Sequence, residues 1–298
     1  MALDILVPFW GDPALLVETV RSVLAQRSGN WKLTVLDDAY PGDEVARFFA
    51  ELDDSRVTYV RNETNQGITA SFRACALRAT EDVVVIPGCD DVLLPNYVEV
   101  VLRAHELYPD ASIIQPGVQV IDERGEPSAT LADTVKRRVM MPRGSGPQVL
   151  AGEALAASLL RGNWLYWPSL AFRREVLQRT PFRDDLPIIQ DLALIIDIVC
   201  AGGRMLLVRD VCFSYRRHGS SASVAKALDG TRFRGERDYF RQAEAQVQAL
   251  GWRRAERAAR GHVTSRLHAL TLLPRAIRSR RRDTVVALLR HVVLPGTK

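Results

Sequence analysis

Carboxylates dominate the residues of this chain that could do chemistry. Adjacent aspartates occur at 37–38, 53–54, 90–91 and 184–185. The pair at 90–91 follows the apolar β-branched run 83–86 and a Pro87-Gly88-Cys89 stop. That pattern places it at the carboxyl end of a buried strand, where open α/β sheets bind ligands. Carboxylates held there suit a hard divalent cation, Mg²⁺ or Mn²⁺, which takes oxygen ligands and can bridge to a phosphate. The plain alternative is a solvated turn. Asp191 opens the apolar helical run 192–201, so it reads either as an N-cap or as a general base facing a cleft. His218 lies in the polar run YRRHGSSAS after a strand. A lone histidine there is structural or solvated, or else joins a metal or phosphate site. Trp164, Tyr166 and Trp167 crowd into four positions; they fit a core, or a platform for sugar rings or bases.

The elements that must position these groups alternate through the first 105 residues. Apolar runs at 4–7, 33–36, 57–60 and 83–86 read as strands. Amphipathic segments at 13–26, 45–52 and 68–79 read as helices, the first with Asp12 as N-cap. That order predicts a doubly wound, mostly parallel α/β sheet flanked by helices. Three strand ends carry polar clusters, which predicts one cleft lined by Asp12, Asp38 and Asp90 with Phe9 and Trp10 as an aromatic wall. No GxGxxG or GxxxxGK[ST] is present, which disfavours a dinucleotide fingerprint and a P-loop.

Further on, strands are expected at 112–121, 205–208 and 211–215, with helices at 153–161 and 192–201. Residues 126–148 hold three prolines and a Lys136-Arg137-Arg138 run; they read as a long mobile loop, either a lid or a plain surface loop. From residue 229 the pattern is helical, over roughly 229–249, 254–272 and 283–293. Two domains follow from this: 1–225 as the α/β unit and 226–298 as a C-terminal helical extension.

The net charge is +5, carried mostly by arginine, and points to an anionic partner such as phosphates or an acidic lipid surface. The arginines gather in the last helices without a recognisable nucleic-acid-binding module, so no nucleic-acid partner is expected. These helices read either as a cap with solvated arginines or as a basic amphipathic face on an anionic membrane. The four cysteines, Cys75, Cys89, Cys200 and Cys212, lack CxxC spacing and suggest reduced, buried thiols in a cytosol. No run of about 18 apolar residues is available to span a bilayer.

The motifs together resemble the family 2 nucleotide-sugar glycosyltransferases of GT-A fold, over about residues 4–223. DILVPFWGD resembles the opening strand, which puts Pro8, Phe9, Trp10 and Asp12 at the nucleotide pocket. LTVLDDAYPGDEV is similar to VVDDGSTDGT, whose second aspartate, here Asp38, contacts the base. NQGITASFRACALRA resembles NxGxxxAxNxG, implying Asn65 and Gly67 beside the nucleotide and Arg73 on a phosphate. PGCDDVLLPNY looks like LDxDDxLxPxx, implying Asp90 as metal ligand and Cys89 beside the nucleotide. IIQDLAL resembles (E/Y)EDxxL, whose aspartate is the catalytic base of inverting members, here Asp191. YRRHGSSAS is similar to YRxHxxSxS, implying His218 near the metal and diphosphate. RGNWLYWPSLAFRREVL resembles the acceptor-side segment, implying Trp164, Tyr166 and Asp191 around the acceptor.

Gly88 and Cys89 depart from the family's DxD, Ala39 replaces the glycine of DDGS, and Gln190 replaces the glutamate before Asp191. The expected activity is inverting transfer from a UDP-, dTDP- or GDP-linked sugar to a saccharide or lipid-linked acceptor in bacterial cell-surface polysaccharide or glycolipid synthesis. The expected place is the cytoplasm or the inner face of the plasma membrane. The competing reading is a non-catalytic nucleotide- or glycan-binding protein on the same fold, motivated by the altered DxD.

Overall fold

Strict alternation of side-chain direction along a strand gives each buried strand two apolar faces to cover, and this chain covers both. In the computed structural model, which describes residues 1–128, 133–134, 136–184, 186, 189–217, 231–278 and 282–293, the first strands and helices follow the alternation. They are β1 (Leu3–Phe9), α1 (Pro13–Leu24), β2 (Trp31–Asp37), α2 (Glu44–Ala50), β3 (Val57–Arg61), α3 (Ile68–Arg78) and β4 (Val83–Val85). Next come β5 (Val92–Leu93), α4 (Tyr97–Leu107), β6 (Ile113–Ile121), a π-helical turn at Lys136–Met140, β7 (Gln148–Ala151) and α5 (Gly152–Arg161). A 3₁₀ turn at Trp167–Ser169, β8 (Ala171–Arg173), α6 (Arg174–Arg179), α7 (Gln190–Cys200) and β9 (Arg204–Arg216) complete the α/β part. The chain closes with α8 (Thr231–Ala249), α9 (Arg253–Gly261), α10 (Val263–Arg278) and α11 (Arg282–Val293).

One mixed sheet runs β3-β2-β1-β4-β8-β6-β9-β5, with β7 also on β9. The first four strands are parallel, and β8, β5 and β7 join antiparallel. Leu3, Ile5, Val7 and Phe9 pack with α1, α2 and α4 on one face. Leu6, Leu36, Val84 and Ile113 pack with α3, α5 and α7 on the other. Tyr239, Phe240 and Val247 of α8 and Ala255 and Ala259 of α9 belong to that second core. Phe233, Ala269, Ala276 and Leu288 form a separate small core between α8, α10 and α11.

Several expectations are corrected. The strands expected at 205–208 and 211–215 are one strand, β9, which shifts register against β6 around Gly117. A Cβ at Gly117 would lie 2.6 Å from the Arg209 carbonyl oxygen, so the shift requires glycine. β5 and β8, two and three residues long, are too short for periodicity to reveal. The segment expected at 254–272 is two helices, broken at His262, whose φ is 27°. The described part of 126–148 is not wholly solvated: Met140 and Met141 pack on the core, while Arg143, Gly144, Ser145 and Pro147 are exposed.

Candidate functional site

Each parallel strand delivers its polar cluster to the same edge. At the end of β2, Asp38 is buried and fully engaged. Its Oδ1 accepts from Asn62 Nδ2 and the Gln66 amide, both at 2.8 Å, and its Oδ2 accepts from the Gly67 amide at 2.8 Å. Asn65 Oδ1 also accepts from the Gly67 amide at 3.0 Å. Asp38 thus ties down the loop that leads into α3. Gly67, the N-cap, sits at φ 83°, the left-handed region that glycine enters without steric cost. Asp37, wholly buried, accepts from the Tyr40 amide at 2.8 Å and from the Tyr59 hydroxyl. Ala39 follows in the left-handed region at φ 59°.

β1 ends beside this loop. Pro8 is buried and lies past Ile5, the last residue of β1 paired to β4. Phe9 is buried against Tyr40, ring centroids 5.3 Å apart, so it is core rather than cleft wall. The exposed aromatic is Trp10, 61% accessible. Asp12 caps α1, accepting from the Ala14 amide at 2.8 Å.

β4 ends on the Gly88–Asp91 turn. Asp91 is buried: its Oδ1 accepts from the Arg216 amide at 2.9 Å and its Oδ2 from the Gly88 amide at 3.2 Å. Burial, then the neighbouring Asp90 carboxylate, raises its pKa well above the usual carboxylate range. Arg216, itself buried, donates from Nε to the Asp90 carbonyl at 2.7 Å and pairs with Glu18 at 2.6 Å. The end of β9 is therefore bolted to the turn. Burial pushes the Cys89 thiol up to about 12, so it stands as a neutral thiol and a poor cation ligand.

The residues present accommodate a cation in one way. A Cβ at Gly88 would lie 2.6 Å from Asp90 Oδ1 and 2.7 Å from Asp91 Oδ2, so two carboxylate oxygens converge over the bare glycine. Among the described residues no group of three or more histidine, cysteine or acidic ligands forms. One or two carboxylates completed by substrate phosphates and water is the donor set Mg²⁺ commonly takes. His218 lies outside the described residues.

Asp191 stands in the first turn of α7, with Asn163 Nδ2 donating to its Oδ2 at 3.4 Å. The preceding Ile189 is at φ 72°, a strained conformation for a β-branched residue. Gln190 Nε2 donates to Thr69 Oγ1 at 2.5 Å, which links this turn to the start of α3 and hence to the Asp38 loop. Tyr215 precedes Arg216, whose amide is bonded to Asp91. Burial and the nearby Asp91, with further contributions from Asp90 and Asp191 and an opposing one from Arg217, push the Tyr215 hydroxyl up to about 12.

Two cations, Lys136 and Arg217, complete the site. Lys136 Nζ donates to the Leu165 carbonyl and lies 4.1 Å from the Tyr166 ring centroid. Burial and Arg217 depress its ammonium to about 8, against the opposing pull of Asp191 and Asp133. Arg217 pairs with the buried Asp133 at 2.7 Å, and among the described residues its Nε has no hydrogen-bond acceptor. Sequence reasoning missed both. Arg217 was visible inside YRRHGSSAS, whereas nothing local marks Lys136 among the charges of its segment.

Three expected contacts are corrected. Trp164 is wholly buried, with Nε1 donating to Ser158 Oγ at 3.0 Å, and presents no face to an acceptor. Tyr166 is likewise buried; Tyr215 and Lys136 pack against it and its hydroxyl donates to Asp133 at 3.2 Å. The Arg73 guanidinium pairs with Asp184 at 2.6 Å and donates to the Phe182 carbonyl at 3.2 Å, so it is held to the 182–184 segment rather than to a phosphate.

Comparison with known proteins adds to this geometry. The model of the family described as Glycosyl transferase family 2 matches residues 4–177. A Bacillus subtilis protein named as a glycosyltransferase, EpsE, is 28% identical over 132 residues, 44% of this chain and 48% of that protein. An Escherichia coli protein named as a colanic acid biosynthesis glycosyl transferase, WcaA, is 29% identical over 105 residues, 35% of this chain and 37% of that protein. The chain therefore spans about half or less of the length of these relatives. The fold is similar to that of Staphylococcus aureus TarS 1-349 crystallised with UDP-GlcNAc: TM-score 0.73 at 12% identity, over 98% of this chain and 82% of that one.

Proposed function

The chain belongs to glycosyl transferase family 2, and from that premise we propose that it moves a sugar from a nucleoside-diphosphate donor to an acceptor hydroxyl with inversion at the anomeric carbon. The observation that carries this reading is the tie from the Asp191 turn to the start of α3, where Gln190 Nε2 donates to Thr69 Oγ1, which sets this acid beside the Asp38 loop at the strand ends. Asp191, oriented by Asn163, takes the proton from the acceptor hydroxyl as its oxygen attacks the anomeric carbon. The bond to the diphosphate breaks on the opposite face, and a single displacement inverts the carbon. Lys136 lies on the Tyr166 ring, and the Tyr166 hydroxyl shares Asp133 with Arg217, so two cations lie together, which favours an anionic donor. Asp90, with Asp91 behind it, would hold Mg²⁺ or Mn²⁺, which when bound supplies charge to the leaving diphosphate. Trp10, Asp38, Asn65 and Gly67 surround the nucleoside end in this reading, in a catalytic domain of residues 1–225 followed by a helical extension.

A uridine donor is favoured over dTDP- or GDP-linked ones because TarS was crystallised with UDP-GlcNAc and with UDP. The name of the E. coli relative supports a place in cell-surface polysaccharide synthesis, with a saccharide or lipid-linked acceptor.

The test is Asp191→Asn. Loss of a general base should lower turnover by roughly 10²–10⁴-fold with UDP affinity unchanged, and the wild-type product should show the inverted anomer by NMR. Near-normal turnover of the variant, or retained configuration, would sink the assignment. Gly88 and Cys89 favour one second reading, a nucleotide-binding protein without catalysis. It predicts that UDP binds while no donor is ever hydrolysed.

A further inference from the structure

We propose that α10 is a membrane-docking helix that lies on an anionic lipid surface. Val263, Leu267, Leu270, Pro274 and Ile277 recur at spacings of four, three, four and three, and all five are exposed, the four that are not proline between 43% and 61%. At about 100° per residue these positions fall within an arc of about 80°, a continuous stripe roughly 20 Å long. The opposite side of the helix is already used, since Ala269 and Ala276 are buried in the small core with Phe233 and Leu288. An apolar stripe of this kind, exposed along a whole helix, marks a surface that is covered in use.

Charge decides what covers it. Residues 263–293 contain seven arginines and a single acidic residue, Asp283. On the helical wheel the exposed Arg278 falls about 60° from the stripe's midline and flanks one edge; Arg266 falls at the other edge, with its Nε donating to His262 Nε2 at 3.1 Å. The neighbouring α11 exposes Val286, Leu289 and Val293 next to the exposed Arg290. A second copy meeting this face through a two-fold axis would set arginines against arginines with almost no acid to offset them. An anionic bilayer matches both features: apolar side chains enter the acyl boundary and arginines meet the headgroup charge. Among the described residues no helix is long and apolar enough to cross a membrane, so α10 would lie along the interface. The inference stands apart from sugar transfer; if both hold, the acceptor is expected to be lipid-linked.

The test is co-sedimentation of the full chain with phosphatidylcholine vesicles and with phosphatidylcholine–phosphatidylglycerol vesicles. The protein should pellet with the anionic vesicles alone and be released by high salt. Leu267→Glu/Leu270→Glu/Ile277→Glu, at exposed positions, should weaken binding at least roughly tenfold with an unchanged thermal melt. Arg278→Glu/Arg290→Glu should weaken binding to the anionic vesicles without altering the melt. No pelleting with anionic vesicles, equal pelleting with neutral ones, or undiminished binding by the folded triple variant would overturn the proposal. So would a dimer by light scattering that the triple variant dissociates, since the stripe would then be covered by a second copy.

Discussion

Replacing Lys136 by methionine should make the protein more stable and less active, a combination that separates a functional cation from a structural one. Burial, with Arg217 nearby, holds the Lys136 ammonium down to about 8 from its ordinary 10.5. A displacement of that size corresponds to about 3 kcal/mol of folding free energy withheld below pH 8. Two contacts return part of it. The ammonium lies 4.1 Å from the Tyr166 ring centroid, worth about 0.5–1 kcal/mol, and it donates to the Leu165 carbonyl, worth about 1 kcal/mol. Methionine keeps most of the stem and loses the charge, so the expected gain at pH 7 is about 1 kcal/mol. The pH dependence is more diagnostic. Below pH 8 the lysine is protonated in both folded and unfolded chains, and the penalty is complete. Between 8 and 10.5 the unfolded chain keeps the proton that the folded chain has lost, so wild-type stability rises with pH. The variant lacks that rise, and its advantage should vanish before pH 10.5. Urea unfolding across that pH range, with sugar transfer measured in parallel, reads both effects. A variant less stable than wild type at pH 7, with the gap constant as pH rises, would refute the buried-charge argument. Full activity in the variant would remove Lys136 from the site.

Three other outcomes are expected. Ala39 occupies the left-handed region at φ 59°, so Ala39→Gly should raise stability by about 0.5–1 kcal/mol; a lower urea midpoint would contradict this. Trp164→Phe should lose about 1–3 kcal/mol from the vacated volume and the hydrogen bond to Ser158, with the acceptor KM unchanged; a raised KM at unchanged stability would return Trp164 to the acceptor. Burial depresses His291 to about 4 from 6.5, with Glu236 opposing. The unfolded chain therefore binds the extra proton between those values, and stability should fall as pH drops through that window. His291→Gln should flatten the fall, and an equally steep profile in that variant would point to another group.

Local sequence determined a good deal of this protein. The alternation of apolar runs with amphipathic segments set the order of β1 to β4, because a strand and a helix each declare themselves by their own repeat. It also put Asp38, Asp90 and Asp191 at element ends, since a polar residue that closes an apolar run must sit where that run leaves the core. Tertiary structure alone decided which of the marked side chains face outward. Trp10 and Trp164 are the same residue type beside similar polar clusters, yet one is 61% exposed and the other wholly buried, because burial depends on what packs from distant parts of the chain. Arg73 looked like a phosphate ligand until the 182–184 segment supplied Asp184. Lys136 entered the site only because Leu165 and Tyr166, distant along the chain, meet it in space. Periodicity is a property of neighbours along the chain, whereas partners and burial belong to neighbours in space. For that reason the scaffold was legible in the sequence, and the full composition of the site was not.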